Sequence, residues 1–420
     1  MNRKIIHLDL DAFFCAVEML RDPSLRGTAF AVGGSPEGRG VVASCSYPAR
    51  SYGVHSAMPM SQALKLCPHL TIVGHHFDLY RRGSRAVMER LHALSPLVEQ
   101  ISIDEAFVDV TARPESAESL ARQLQQTILS ELFLPCSVGV ATNKLVAKIA
   151  TDVGKDRHKA AYRARQDAAP PGTVQEPLTP PNSVTVVPPG TEADFLAPLP
   201  SRALWGVGPK TAERLAGLGM HTIGDIAAWD EADLARRFGK HGAGLSRHAR
   251  GLDDRPIVTE HEAKSVSRET TFRQDVSDDE RLRATLDRLA EDVARRLVRS
   301  GMQGSTIKLK IRWPDFTTLS RQVTLARPTD DEATIRTTAY KLLDDVRPPG
   351  QPVRLIGVGI SGFGDTPVQL SLFDLKPETE KDQRIRETLN QLRARFGPDV
   401  VHRASSLPGE GRADEGVKGS

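Results

Sequence analysis

The chain has 420 residues, of which 26% are charged and 39% hydrophobic, and its 56 Lys and Arg against 53 Asp and Glu leave a formal net charge of +3. That length accommodates roughly two to four domains, and the composition excludes wholesale disorder, which requires low hydrophobicity together with high net charge. It also argues against a polycation of the histone kind, while a near-neutral sum leaves open where the positive charge sits.

In chain order, the first apolar run is broken by His7 and Asp9, too early for a signal peptide. Residues 5–10 read as a short buried strand, and 11–20 as a helix that stops before Arg21-Asp22-Pro23. A second strand over 29–34 ends in Gly33-Gly34. Residues 97–100 and 106–110 read as strands flanking the polar stretch Ser102-Ile103-Asp104-Glu105, and 117–132 and 144–152 as helices with a strand over 136–141 between them. This interleaving marks an α/β or α+β domain over the first 155 or so residues. From 156 to 189 prolines recur (Pro170, Pro171, Pro177, Pro180, Pro181, Pro188, Pro189), which predicts a flexible insertion with one short strand at 184–187. Residues 195–229 read as short helices joined by glycine turns. A helix over 279–300 precedes strands over 306–313 and 318–325, then a helix over 340–346 and a strand over 353–360. The last 50 or so residues are polar, with a helical stretch near 383–396. No stretch approaches the roughly 18 uninterrupted apolar residues of a membrane span. Cys15, Cys45, Cys67 and Cys136 show no Cys-x-x-Cys spacing. The expectation is a reduced cytoplasmic protein with no membrane association.

Asp9 closes the first strand, and Asp104 and Glu105 sit at a hairpin tip. Carboxylates at strand ends of one domain can converge, and three together repel unless divalent cations neutralise them. Magnesium suits such a place, because it takes oxygen ligands, keeps waters and is completed by substrate phosphates. By spacing alone, solvated turn residues are the simpler reading of such acids. Asp11, at a helix start, and Asp109, at the surface, are read that way.

The segments Leu8-Asp9-Leu10-Asp11-Ala12-Phe13-Phe14-Cys15-Ala16-Val17-Glu18 and Ser102-Ile103-Asp104-Glu105-Ala106-Phe107 together closely resemble the Y-family, or translesion, DNA polymerases, the match being best to the DNA polymerase IV branch. Ala43-Ser44-Cys45-Ser46-Tyr47-Pro48-Ala49-Arg50, with Gly53-Val54, and Asn143-Lys144-Leu145-Val146-Ala147-Lys148-Ile149-Ala150 agree with it, so the likeness spans about 4–155 and 183–375. The resemblance implies an α+β multidomain fold, a right-hand polymerase. Its parts would be a palm (1–10 and 75–185, with a proline-rich insertion at 156–183), fingers (11–74), a helical thumb (186–255), a linker (256–264), an α/β little finger (265–365) and a tail (366–420). The implied activity is template-directed, error-prone DNA synthesis opposite damaged or undamaged template, adding deoxynucleoside triphosphates to a primer 3′-hydroxyl.

On the same resemblance Asp9, Asp104 and Glu105 bind two Mg2+ ions, with the Leu10 carbonyl as a further ligand. Tyr47, Arg50 and Lys155 hold the incoming triphosphate, where a guanidinium forks onto phosphate oxygens and an ammonium adds a mobile point charge. Phe14, five residues after Asp9, stands at the steric-gate position under the sugar, and its neighbour Phe13 belongs to the core side of the nucleotide-binding region by motif register. Gly40, Val41, Val42, Ala43 and Ser44 would roof the nascent base pair loosely, which admits damaged templates and discriminates weakly.

Leu204-Trp205-Gly206-Val207-Gly208-Pro209-Lys210-Thr211 resembles a helix-hairpin-helix turn, in which Gly206 and Gly208 let the backbone approach a DNA phosphate beside Lys210; Lys240 adds a second contact. Arg268, at the entry to the little finger, and the basic strand residues Lys308, Lys310 and Arg312 complete the expected grip on primer–template DNA. Gln369, Leu370, Leu372 and Phe373 form a short segment like the peptides that bacterial polymerases insert into the sliding clamp. A further 47 residues follow it. The expected protein is a monomer. Two rival readings are a non-catalytic polymerase-like adaptor for the clamp, disfavoured by the presence of all three acids, and another two-metal phosphoryl-transfer enzyme, disfavoured by Phe14 and the basic C-terminal strands.

Overall fold

In this computed structural model, which describes residues 2–168, 178–260 and 262–364 together with 388 and 395, the chain divides into two units at residues 261 and 262. The first is organised around β1 (Ile5–Leu10), five of whose six residues are buried, Asp9 alone keeping partial exposure. A left-handed Ala12 (φ 49°) turns the chain sharply from β1 into α1 (Phe13–Arg21). The segment that follows builds a small three-stranded sheet of its own: β2 (Phe30–Gly33), β3 (Val42–Cys45), α2 (Tyr47–Ser51), α3 (Met60–Leu66) and β4 (Thr71–Val73), in strand order β3-β2-β4. Ala31, Val42, Ala49, Met60 and Leu70 fill a separate core there.

The chain then supplies α4 (Phe77–Leu94), β5 (Val98–Gln100), β6 (Glu105–Asp109), α5 (Ala117–Leu132), β7 (Cys136–Ala141), α6 (Lys144–Asp167) and β8 (Val184–Val186), which close a five-stranded sheet ordered β5-β6-β1-β7-β8. Because strand residues alternate between faces, Ile6, Leu8 and Leu10 join a core with α1, α4 and α5 residues such as Phe13, Leu91 and Leu124. Ile5 packs on the opposite side with Leu145, Val146 and Ile149 of α6. Asp9 shares that α6-facing side, as the His7 Nδ1 contact with Thr151 Oγ1 of α6 at 2.8 Å also shows.

Helix α6 corrects the sequence expectation in length. It does not end near Asp152, and residues 156–167 belong to it rather than to a loose insertion. Asn143 caps it by accepting the Val146 N–H at 3.0 Å. Beyond Lys155 no proline or glycine occurs before Pro170, while Ala160, Ala161 and Ala164 with Arg and Gln neighbours favour the helix. The close seating of α6 on β7 depends on Gly139, where an added Cβ would lie 2.0 Å from the Ala147 carbonyl oxygen and 2.7 Å from the Thr151 nitrogen. Gly139→Ala is therefore expected to cost about 3 kcal/mol, the upper end of ordinary overpacking, read as a lower midpoint in chemical denaturation. A variant with unchanged stability would mean that α6 can slide on the sheet.

Short helices α7 (Glu192–Leu196), α8 (Pro209–Ala216), α9 (Ile223–Ala228), α10 (Glu231–Phe238) and α11 (Lys240–Ala249) complete the first unit. Leu215, Met220, Ile226 and Leu234 run into the α6-side core. The segment after α11 is tied to the sheet by polar contacts. Asn143 Nδ2 donates to the Gly251 carbonyl at 2.8 Å. The buried Glu99 accepts from Lys144 Nζ and from the Val258 N–H, each at 2.8 Å.

The second unit contains β9 (Ser265–Val276), α12 (Asp279–Arg299), β10 (Gly304–Arg312), β11 (Thr318–Thr329), α13 (Glu332–Val346) and β12 (Val353–Phe363), with strand order β11-β10-β12-β9 and antiparallel pairing throughout. Leu286, Val293 and Leu297 of α12 and Ile335 and Leu343 of α13 cover one face through Ile307, Leu309, Ile311, Ile356 and Val358. Helix α13 starts eight residues before the sequence expectation, because Asp331 caps it by accepting the Thr334 N–H at 2.8 Å and so outweighs the poor helix propensity of its threonines. Among the described residues no helix is long and apolar enough to cross a membrane.

Candidate active site

Asp9 and Glu105 are register partners across the antiparallel β1–β6 pair. Directly opposed residues project from the same face about 5 Å apart at Cβ. Asp104, one residue earlier, accepts the Leu10 N–H on its carbonyl at 3.0 Å and the Ser102 hydroxyl on its carboxylate at 2.6 Å. The Ser102 hydroxyl oxygen in turn accepts the N–H groups of Asp104 and Glu105 at 3.2 and 3.0 Å, which folds the turn that presents both acids.

Two lysines of α6 face this group. Lys155 Nζ lies 2.6 Å from Asp9 Oδ1 and 3.5 Å from Asp11 Oδ1, and Lys148 Nζ lies 2.8 Å from Glu105 Oε1. They are seven residues, about two turns, apart and so share one side of the helix. Burial pushes the carboxyl groups of Asp104 and Glu105 above their usual range; the Asp9 charge adds to the rise, while Ser102 and Lys148 respectively work against it. Burial opposes the charge on Lys155, yet Asp9 and Asp11 outweigh it and hold the ammonium above its ordinary value.

Asp11 is not the solvated helix-start acid that the sequence suggests. It is 1% exposed and accepts the Ser137 hydroxyl at 3.0 Å and the Asn182 N–H at 2.9 Å. The left-handed Ala12 turns the chain just after it, and the Asp11 N–H reaches the Pro135 carbonyl at 2.8 Å, which holds this acid against β7. Asp109, expected at the surface, is partly buried, with Arg3 Nε 3.7 Å away.

Among the described residues, no three His, Cys, Asp or Glu side chains stand assembled as metal ligands. The donor set nonetheless fits a hard divalent cation: carboxylate oxygens beside a main-chain carbonyl, held in a sheet corner where two ammonium groups now offset the negative charge.

A cleft of about 250 Å³ opens from these acids. It is lined by Asp9, Leu10 and Asp104, by Phe13 and Phe14, by Tyr47, Arg50 and Lys155, and by the small residues Ala43 and Ser44. Glu105, Gly40, Val41 and Val42 do not line it. Ser46 caps α2 by accepting the Ala49 N–H and so sets the helix that carries Tyr47 and Arg50. Arg50 is aimed by its donation from Nε to the Cys45 carbonyl at 3.2 Å and by stacking of its guanidinium 5.0 Å from the Tyr47 ring centre. Burial pushes the Tyr47 hydroxyl up, so it remains a proton donor. Phe13 is buried, whereas Phe14 is partly open and lies flat on Tyr80, with ring centres 4.2 Å apart.

Sequence reasoning missed Lys159 and Ser56, which also line the cleft. Lys159 sits one helical turn beyond Lys155, a spacing that carries information only once α6 is known to continue. Ser56 has no signal in the sequence at all.

Gly206, at φ 98°, turns the chain ahead of α8, and Gly208 is the N-cap residue of that helix, with Lys210 exposed in its first turn. Gly239, at φ 64°, does the same before Lys240 and α11. In the second unit Lys308, Lys310 and Arg312 share the sheet face turned away from the helices, where Lys310 meets Glu269 at 2.8 Å. Arg268 does not join them. It opposes the core residue Val358 and points to the helix side, 3.5 Å from Asp292 of α12. The segment containing Gln369, Leu370, Leu372 and Phe373 lies outside the described residues, as does the stretch 383–396 apart from 388 and 395.

The sequence profile of the impB/mucB/samB family matches residues 8–152, and that of the family's C-terminal domain matches residues 263–372. The DNA polymerase IV of Desulfatibacillum aliphaticivorans is 40% identical over 96% of this chain and 96% of its own length. A solved Y-family DNA polymerase chimera of Dbh and Dpo4 superimposes with a TM-score of 0.72 at 26% identity, covering 86% of this chain and 99% of that one. This chain belongs to the Y-family of DNA polymerases. Within the Y-family its likeness is to the DNA polymerase IV branch, as the 45% identity with the DNA polymerase IV of Streptomyces coelicolor over 86% of this chain and 71% of that protein also indicates. As a Y-family member it is a DNA-directed DNA polymerase of the translesion class, and its α+β architecture is that of the family.

Proposed function

We propose that the cleft is a two-magnesium polymerase centre, in which Asp9, Asp104, Glu105 and the Leu10 carbonyl hold the cations while a primer 3′-hydroxyl attacks the α-phosphate of a deoxynucleoside triphosphate. The observation that carries the reading is the convergence of Asp9, Asp104, Phe14, Arg50 and Lys155, from four separate stretches of sequence, on one cleft. Bound there, the cations would lower the pKa of the 3′-hydroxyl and offset the charge on the departing pyrophosphate. Arg50 and Tyr47 bind phosphate oxygens from the fingers side, and Lys155 and Lys159 from α6, which holds the reacting phosphorus in line. Phe14 lies under the sugar, and Ala43 and Ser44 cover the base pair with little shape to contradict a damaged template.

The domain limits follow the family's plan, with α6 continuing the palm where a loose insertion was expected. The thumb turns at Gly206, Gly208 and Lys210 and at Lys240 would contact DNA phosphates through free main-chain N–H groups. Lys308, Lys310 and Arg312 form a basic face suited to a duplex backbone, with salt-sensitive binding. Arg268 contributes at the other face of that sheet. Gln369, Leu370, Leu372 and Phe373 would tether the enzyme to the sliding clamp and raise its local concentration at the primer.

Primer extension with four deoxynucleoside triphosphates tests the reading. Extension opposite both intact and damaged template is expected with magnesium, and none after chelation. Adding the clamp is expected to stimulate the full chain but not one lacking residues 369–373. Absence of extension under every condition would leave a non-catalytic clamp adaptor instead.

A further inference from the structure

Glu18 is a carboxylate with no exposed surface that the chemistry above leaves without a task. It follows Phe14 by one turn on α1 and does not line the cleft. Burying such a charge is costly unless it is paired and hydrogen-bonded. Three donors supply this: the Tyr80 hydroxyl at 2.5 Å, His76 Nδ1 at 2.8 Å and Arg21 Nε at 2.8 Å. Since a carboxylate can only accept, the His76 contact also fixes its proton on Nδ1.

Tyr80 is itself fully buried, and its ring is held on several sides. Its face carries the Phe14 ring at 4.2 Å with an interplanar angle of 12°. Phe77 and Phe13 meet it edge-on at 5.8 and 6.4 Å. Tyr80 is thus a backstop for Phe14, and its far end is tied to Glu18.

We propose that Glu18, acting through the Tyr80 hydroxyl, is a positioning residue for sugar selection. It locks the ring behind Phe14 so that Phe14 cannot retreat from a ribose 2′-hydroxyl. This rests on the reading of Phe14 as the steric gate. A gate rejects by repulsion, and repulsion discriminates only as far as the packing behind it resists displacement.

The test is single-nucleotide insertion with matched deoxyribonucleoside and ribonucleoside triphosphates, comparing kcat/KM for the two sugars. Tyr80→Phe keeps the ring and its packing and removes only the tether. It is expected to lower the deoxy-to-ribo preference about tenfold, the worth of one hydrogen bond to a charged group. The change should come mainly from a lower ribonucleotide KM, with less than about threefold change for the deoxyribonucleotide. Glu18→Gln retains an acceptor for the Tyr80 hydroxyl and is expected to keep most of the preference, whereas Glu18→Leu combined with Tyr80→Phe should lose no more than Tyr80→Phe alone. Phe14→Ala runs alongside. If it admits ribonucleotides while Tyr80→Phe keeps the wild-type preference, the role of Glu18 is overturned and the gate stands. If Phe14→Ala admits none, the gate reading fails and this inference falls with it.

Discussion

Asp104→Ala is expected to abolish templated synthesis, with insertion falling by about three orders of magnitude or more, because several kcal/mol of transition-state charge stabilisation disappear with one carboxylate. The substitution is clean in structural terms. The Asp104 carbonyl still accepts the Leu10 N–H, and the Ser102 hydroxyl can still receive the Glu105 N–H, so the turn keeps its main-chain contacts. Stability should not fall with activity. Burial raises the Asp104 carboxyl above its usual range, and the nearby Asp9 charge contributes. The folded state therefore holds a proton there to higher pH than the unfolded chain does. Stability contributed by that proton declines as pH rises through the window between the two values, and at neutral pH the ionised group is a cost to the fold. Removing it should leave the melting temperature at pH 7 equal to that of the wild type or higher. Undiminished primer extension by this variant would overturn the catalytic assignment. Loss of activity together with a markedly lower melting temperature would assign Asp104 to the fold instead.

Phe14→Ala is expected to open the site to ribonucleotides, cutting the deoxy-to-ribo preference to about a hundredfold or less, the most by which an apolar surface without the clash rejects an added hydroxyl. Deoxyribonucleotide insertion should fall far less, since Tyr47, Arg50 and Lys155 still hold the triphosphate. Phe14 is partly exposed and stacks on Tyr80, so its truncation should cost less than the roughly 3–5 kcal/mol of a fully buried phenylalanine. The same insertion kinetics with both sugars decide the matter. An unchanged preference would make Phe14 a packing residue.

These two residues were legible before any fold was known, and the reason is local. Asp9 and Phe14 lie in one unbroken run, Asp104 and Glu105 in another, and each run encodes a strand end or turn whose conformation depends on its immediate neighbours. Helix α5 was equally readable because Ser116 caps it and its apolar period is regular. Misreadings occurred where distant contacts decide. Asp11 resembles a helix-start acid, but its burial depends on Ser137 and Asn182, more than a hundred residues away. Lys159 enters the cleft only because α6 continues past the point where prolines later in the segment suggested a break. Arg268 reads as one base among several until the β9–β12 register places it opposite Val358, on the other face of the sheet.

The sequence by itself determined the family and nominated the acids, the gate and the phosphate-binding cations, because a short motif states its chemistry in consecutive side chains. The tertiary structure decided which of them meet. Strand register put Asp9 opposite Glu105, and α6 brought Lys148 and Lys155 onto them. Within the near-neutral total of +3, a few acids meet at one sheet corner and Arg50, Lys155 and Lys159 line the cleft beside them. Coulomb energy depends on distance and burial, and composition contains neither.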